Sequence, residues 1–189
     1  MMAVQQRTYN IDDVWELVHR ADNNDKHFEL IDGELFEMSP PGVLHGRLAI
    51  RLGRFLDVFA EEHQLGIVTV ETGHHPPGDR STLLAPDVAF TRRERVPQPI
   101  PEKYMPLMPD LAVEIVSPSD SIRQVRKKAA LYLRHGTQRV WIVMPARKGV
   151  EVCSAAQGGT NREFIGQEGI LSGEPVLPGF RLELRRLFA

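Results

Sequence analysis

Between residues 43 and 144 the apolar residues change their spacing in a fixed order, and that order restricts the fold more than any other feature. Leu44, Leu48, Phe55, Leu56 and Phe59 recur at helical spacing and predict a long helix over about residues 43–64, stopped by Gly66. Gly46 and Gly53 lie on one face of it and predict close packing against another backbone. Three short apolar runs follow, at residues 67–71, 84–90 and 111–116, each of strand length. Ser117-Pro118-Ser119-Asp120 opens a second helix over about residues 121–135, ended by Gly136, and an apolar strand with Trp141 spans residues 139–144. Helix, strand, strand, strand, helix, strand is buried by a mixed sheet with helices packed on it, an α/β architecture.

The flanks add smaller elements. Asn10 or Asp12 caps a short helix through Val14, Trp15 and Val18. Asp32-Gly33 between apolar residues predicts a hairpin, because a type I′ turn needs positive φ at both central positions. Residues 92–109 hold five prolines and read as a surface arm. Short strands are expected near residues 150–154, 162–167 and 180–184. The 189 residues suit one domain, with no internal repeat and no sign of a second.

Composition narrows the function. No apolar run reaches the roughly 18 residues of a membrane span, and residues 1–12 show no basic-then-apolar leader pattern, so a cytoplasmic location is the default expectation. The single cysteine, Cys153, excludes an internal disulfide framework and a cysteine-rich zinc site, and reads as packing. A net charge of −2 excludes a globally basic nucleic-acid coat, although two local stripes exist: Arg92, Arg93 and Arg95, then Arg123, Arg126, Lys127 and Lys128. Taken alone, each stripe reads as a solvated face sooner than as a DNA contact.

Two carboxylates stand in otherwise apolar runs: Asp87 in Ala85-Pro86-Asp87-Val88-Ala89-Phe90, and Glu114 in Leu111-Ala112-Val113-Glu114-Ile115-Val116. Burying a bare carboxylate costs several kcal/mol, so each must be paired, metal-bound or open to a wet cleft. The alternative for either is a strand-end acid bonded to backbone or to an arginine. Strand alternation puts Glu114 on the side of Ala112 and Val116, away from Val113 and Ile115. On the second helix, Ile122, Val125, Ala129 and Tyr132 form the apolar face; Lys128 borders it and Lys127 points to solvent. Lys128 therefore leans toward the sheet or runs along the helix edge. Two acids and a lysine at adjacent strand ends suit metal-assisted phosphodiester hydrolysis. His74 and His75 read as loop residues, and Glu29, Asp32 and Glu34 as hairpin residues.

Asp87, Glu114 and the helix-borne Lys128 resemble the PD-(D/E)XK nuclease superfamily, and the element order resembles its restriction-endonuclease-like αβββαβ core. One branch, the Uma-type family of restriction endonucleases, is similar over about residues 9–188. The resemblance rests on Glu29-Leu30-Ile31-Asp32-Gly33-Glu34, Ser39-Pro40-Pro41 with His45, Pro86-Asp87-Val88, Pro109-Asp110-Leu111 leading to Glu114-Ile115-Val116-Ser117-Pro118-Ser119, and Lys128 with Tyr132, Gly136 and Trp141. It implies Asp87, Glu114 and the backbone carbonyl of Ile115 as ligands of Mg²⁺ or Mn²⁺, with DNA as substrate and a homodimer as the assembly. Lys128 would stand in for the superfamily lysine, whose ordinary position Val116 occupies. His45 matches a histidine of the branch and is assigned to the metal site or the phosphate, with a structural role as its other reading. The chain departs from the branch at Gln124, where an acid is usual, and at Arg139 and Val140, where an acid and an aromatic are usual; these bear on the geometry around the ligands. A nuclease-like module that grips nucleic acid or a protein without cutting is the rival expectation.

Overall fold

The computed structural model describes residues 8–23 and 26–189; residues 1–7, part of the segment read for a leader pattern, lie outside the described residues. Helix α1 (Ile11–Val18) begins at a reciprocal cap: the Asn10 side chain accepts from the Asp12 and Asp13 N–H groups, and the Asp13 carboxylate accepts from the Asn10 N–H. Strands β1 (His27–Ile31) and β2 (Glu34–Met38) form the expected hairpin, with Asp32 at φ 51° and Gly33 at φ 80°. The core follows as α2 (Val43–Glu62), β3 (Gly66–Val70), β4 (Val88–Arg92), β5 (Leu111–Ile115), α3 (Ile122–Arg134) and β6 (Arg139–Met144), the order the sequence predicts. Strands β7 (Gly149–Ala156), β8 (Gly159–Gly166), β9 (Ile170–Ser172) and β10 (Arg181–Glu183) and the short α4 (Leu184–Leu187) complete the chain.

One six-stranded sheet carries the site, in the order β3-β4-β5-β6-β7-β8. Its neighbours are antiparallel except β5 and β6, which α3 joins as a crossover and which therefore run parallel. Alternation along β5 sorts its side chains between two cores. Leu111, Val113 and Ile115 pack with Leu48, Leu52 and Leu56 of α2, while Ala112 packs with Ala129 and Tyr132 of α3. Glu114 belongs to the α3 side. A third cluster of Ile11, Val14, Leu30 and Leu83 docks the hairpin, and Leu30 and Leu83 exchange backbone hydrogen bonds of 2.8 and 2.7 Å.

Several local expectations need correction. Gln64, at φ 53°, takes the left-handed position after α2. Gly66 lies inside β3, where a Cβ would sit 2.0 Å from the Thr91 carbonyl oxygen, so a close strand approach requires it. Gly46 faces open space and Gly53 meets only side chains at ordinary contact distance, so neither mediates a backbone approach. The strand expected from residue 84 begins at Val88: Pro86 has no N–H for a ladder, and Leu84 instead pairs with His74. The proline-rich segment is no free arm. Met105 and Met108 are buried, and Met105 bonds back to Gly73 and His75. Strand β9, too short to show periodicity, was not anticipated.

Candidate active site

Four side chains from four parts of the core converge at the carboxyl end of β5. His45 sits in the first turn of α2, on the side that packs against the sheet, and its Nε2 lies 3.1 Å from Asp87 Oδ2. Asp87 directly precedes β4 and accepts the Ile115 N–H at 2.6 Å on the same oxygen. That bond fixes the carboxylate beside the last residue of β5. Glu114, one residue earlier, turns to the opposite face and meets α3: Lys128 Nζ lies 2.9 Å away and Tyr132 donates its hydroxyl at 2.8 Å. The four expected residues therefore line one cavity of about 630 Å³ together with Ile115.

One participant was missed. Glu29 of β1, read as a hairpin residue, is buried at 4% exposure and lies 2.8 Å from Lys128 Nζ. It also accepts the Ala85 N–H at 2.8 Å, tying the hairpin to the turn that carries Asp87. The signal was present: Phe28-Glu29-Leu30-Ile31 is another acid in an apolar strand. Tyr132, expected only as an apolar-face residue, is the hydroxyl donor to Glu114.

The electrostatics follow from burial and crowding of acids. The hydrogen bond to Asp87 raises the His45 pKa against the opposing effect of burial, and the Asp120 and Glu114 charges add to the rise. His45 Nδ1 is buried without a hydrogen-bond partner among the described residues. Burial pushes the Glu114 carboxyl up, and the Asp87 and Glu29 carboxylates add to this while Lys128 opposes it. Burial alone would depress the Lys128 amine, but Glu114 and Glu29 outweigh it and hold the amine above its ordinary value. Of the pair, the lysine's direction governs: an ammonium between two carboxylates stays charged. Burial raises the Tyr132 hydroxyl well above its usual range and keeps it a donor.

The donor set suits a hard cation. With Glu114 ionised, Glu29, Asp87 and Glu114 outnumber Lys128 and a protonated His45, so the cluster then carries a negative excess, and its ligating atoms are oxygens. Among the described residues no group of three His, Cys, Asp or Glu side chains is arranged around one ion position. An ion here would take at most two carboxylates, with carbonyl, water or phosphate oxygens completing its shell, as Mg²⁺ commonly does.

The basic stripes mostly hold the chain together. Arg92 donates to the carbonyls of Pro175 and Val176, Arg95 pairs with Asp110 at 2.6 Å, and Arg126 grips Glu151 with two bonds of 2.9 and 2.6 Å. Arg123 and Lys127 are exposed. His74 is no loop residue in environment: it is fully buried, its Nδ1 lies 3.0 Å from the Leu107 carbonyl oxygen, and burial lowers its pKa to about 4. Cys153 is buried in the α3-side core, as expected.

A mixed sheet with a helix on either face, and acids meeting a helix lysine at one strand end, define a restriction-endonuclease-like fold. The chain belongs to the Uma2 family, described as "Putative restriction endonuclease", whose model matches residues 14–185. The fold is also that of a crystal structure titled as a putative nuclease of DUF820 from Anabaena variabilis, with TM-score 0.79 and 20% identity, covering 95% of this chain and 97% of that one. No curated protein matches the chain at a significant level. Among the described residues no helix is long and apolar enough to cross a membrane.

Proposed function

We propose that this chain is a metal-dependent endonuclease that hydrolyses DNA phosphodiester bonds. Asp87, Glu114 and the Ile115 carbonyl would hold Mg²⁺ or Mn²⁺, which when bound polarises a phosphate and lowers the pKa of a water. Lys128 orients the attacking water and stabilises charge on the phosphate. His45, held against Asp87, fixes that carboxylate and, when protonated, offers a positive charge to a phosphate oxygen. Tyr132 orients Glu114. The reading includes one domain over residues 1–189, a homodimer and a cytoplasmic location. What carries it is the meeting of Asp87, Glu114, Lys128 and His45 in one cavity, with excess negative charge.

Supercoiled and single-stranded DNA incubated with Mn²⁺ and with wild type, Asp87→Ala or Lys128→Ala tests it. The wild type cuts and both variants cut far more slowly or not at all; equal cutting by all three contradicts the assignment. One observation favours the rival reading of a binding module: both Glu114 oxygens already have partners, Lys128 and Tyr132. That reading predicts salt-sensitive DNA binding without cleavage.

A further inference from the structure

Lys128 is bonded to capacity in this structure. An ammonium has three N–H donors, and here oxygens of Glu114 at 2.9 Å, Glu29 at 2.8 Å and the Ala85 carbonyl at 3.5 Å surround it. Nothing is left over for a water or a phosphate. If Glu114 turns to a cation, one N–H is freed, but the amine also loses one of its two counter-charges inside a buried setting. A lysine in that position either stays fixed on its remaining carboxylate or leaves its place.

We infer that Glu29 is a positioning residue that holds Lys128 in place when Glu114 is given over to a divalent cation; this rests on the metal-dependent reading above. Three observations support it. Glu29 is as buried as Glu114, at 4% against 8% exposure, so its pull on the amine is little screened by water. Its Oε1 is itself fixed, because it accepts the Ala85 N–H at 2.8 Å. Ala85 stands two residues before Asp87, so one carboxylate registers both the lysine and the turn bearing the other acid. In this structure Glu29 Oε1 is held by Lys128 Nζ and by the Ala85 N–H, each at 2.8 Å. The hairpin is thereby tied to the site through Glu29.

The test follows the Lys128 ammonium by ¹⁵N NMR and the carboxyl carbons by ¹³C NMR while Mg²⁺ is added. In wild type, the Asp87 and Glu114 carboxyl signals shift saturably, and the Lys128 signal shifts but persists with its correlation to Glu29. In Glu29→Gln the amide keeps an oxygen for the Ala85 N–H but loses the charge. There, Mg²⁺ broadens the Lys128 signal away, and kcat for cleavage falls by about 10–100-fold with KM little changed. Wild-type Lys128 leaving Glu29 on Mg²⁺ addition overturns the inference without any variant. Mg²⁺ responses with Glu29→Gln cutting at the wild-type rate overturn it too, and leave the metal reading intact. No Mg²⁺ response at Asp87 and Glu114 sinks the metal reading, and the inference with it.

Discussion

Glu114 and Glu151 occupy the same row of the sheet, with Ile142 paired between them, and on the same face under α3. Both are buried, at 8% and 4% exposure, and both take a cation from α3, Lys128 in one case and Arg126 in the other. Their surroundings differ. Glu151 is gripped by both arms of a guanidinium, with Arg162 at 3.9 Å, so positive charge is in excess. Glu114 shares a compact ammonium with Glu29 and lies near Asp87, so negative charge is in excess. One arrangement is a clamp and the other is a cation-hungry cleft. A buried ion pair alone therefore does not mark a site; the charge left over does.

The largest expected effect separates the two lysine-like roles. Lys128→Ala lowers DNA cleavage by about 10²–10³-fold, the cost of losing a donor to developing charge, as read by single-turnover kinetics with Mn²⁺. A loss under tenfold would place Lys128 with the clamp. Arg126→Ala does the reverse. It leaves Glu151 buried with only the more distant Arg162 and costs about 3 kcal/mol in urea unfolding, with cleavage by the folded protein within about twofold of wild type.

His74 extends the comparison to a buried base with no acid against it. Its folded pKa of about 4 lies below the ordinary histidine value of 6.5, so the unfolded chain binds the proton more readily. Its contribution is complete above pH 6.5 and is lost as the pH falls toward 4. At pH 5 the loss is about 2 kcal/mol by linkage. An NMR titration of the His74 ring should show a midpoint near 4; one near 6.5 would mean the ring is not enclosed as described.

The smallest effect on stability is the most diagnostic for the cleft. Glu114→Gln removes one of the crowded acids while Lys128 keeps Glu29, so stability changes by less than about 1 kcal/mol, in either direction. Cleavage is nonetheless lost. A large destabilisation would mean Glu114 holds the fold as Glu151 does.

Much of this was legible in the chain. Regular periodicity gave the element order, and the exclusion of a bare charge from an apolar strand singled out Asp87 and Glu114. Helical angle put Lys128 at the border of the apolar face, leaving inward and edge positions both open, and Lys127 outward; Lys128 is found turned inward onto Glu114 and Glu29, and Lys127 is exposed. Glu29 escaped because its hairpin gave a sufficient local reason for it, and no local pattern reports that a distant hairpin docks on a strand end. The roles of Gly46, Gly66, His74 and the proline-rich segment escaped for the same cause: each depends on which backbone lies opposite, a tertiary fact. The basic stripes misled because sequence counts charges without their partners, and Arg92, Arg95 and Arg126 are engaged by carbonyls and acids far along the chain.

The most direct measurement is anomalous diffraction from a crystal soaked in Mn²⁺. The account predicts a peak about 2.0–2.4 Å from oxygens of both Asp87 and Glu114, with Glu114 turned away from the lysine amine, which stays on Glu29. A protein that takes up the ion elsewhere, or leaves the Glu114–Lys128 contact unchanged at saturating Mn²⁺, would contradict it.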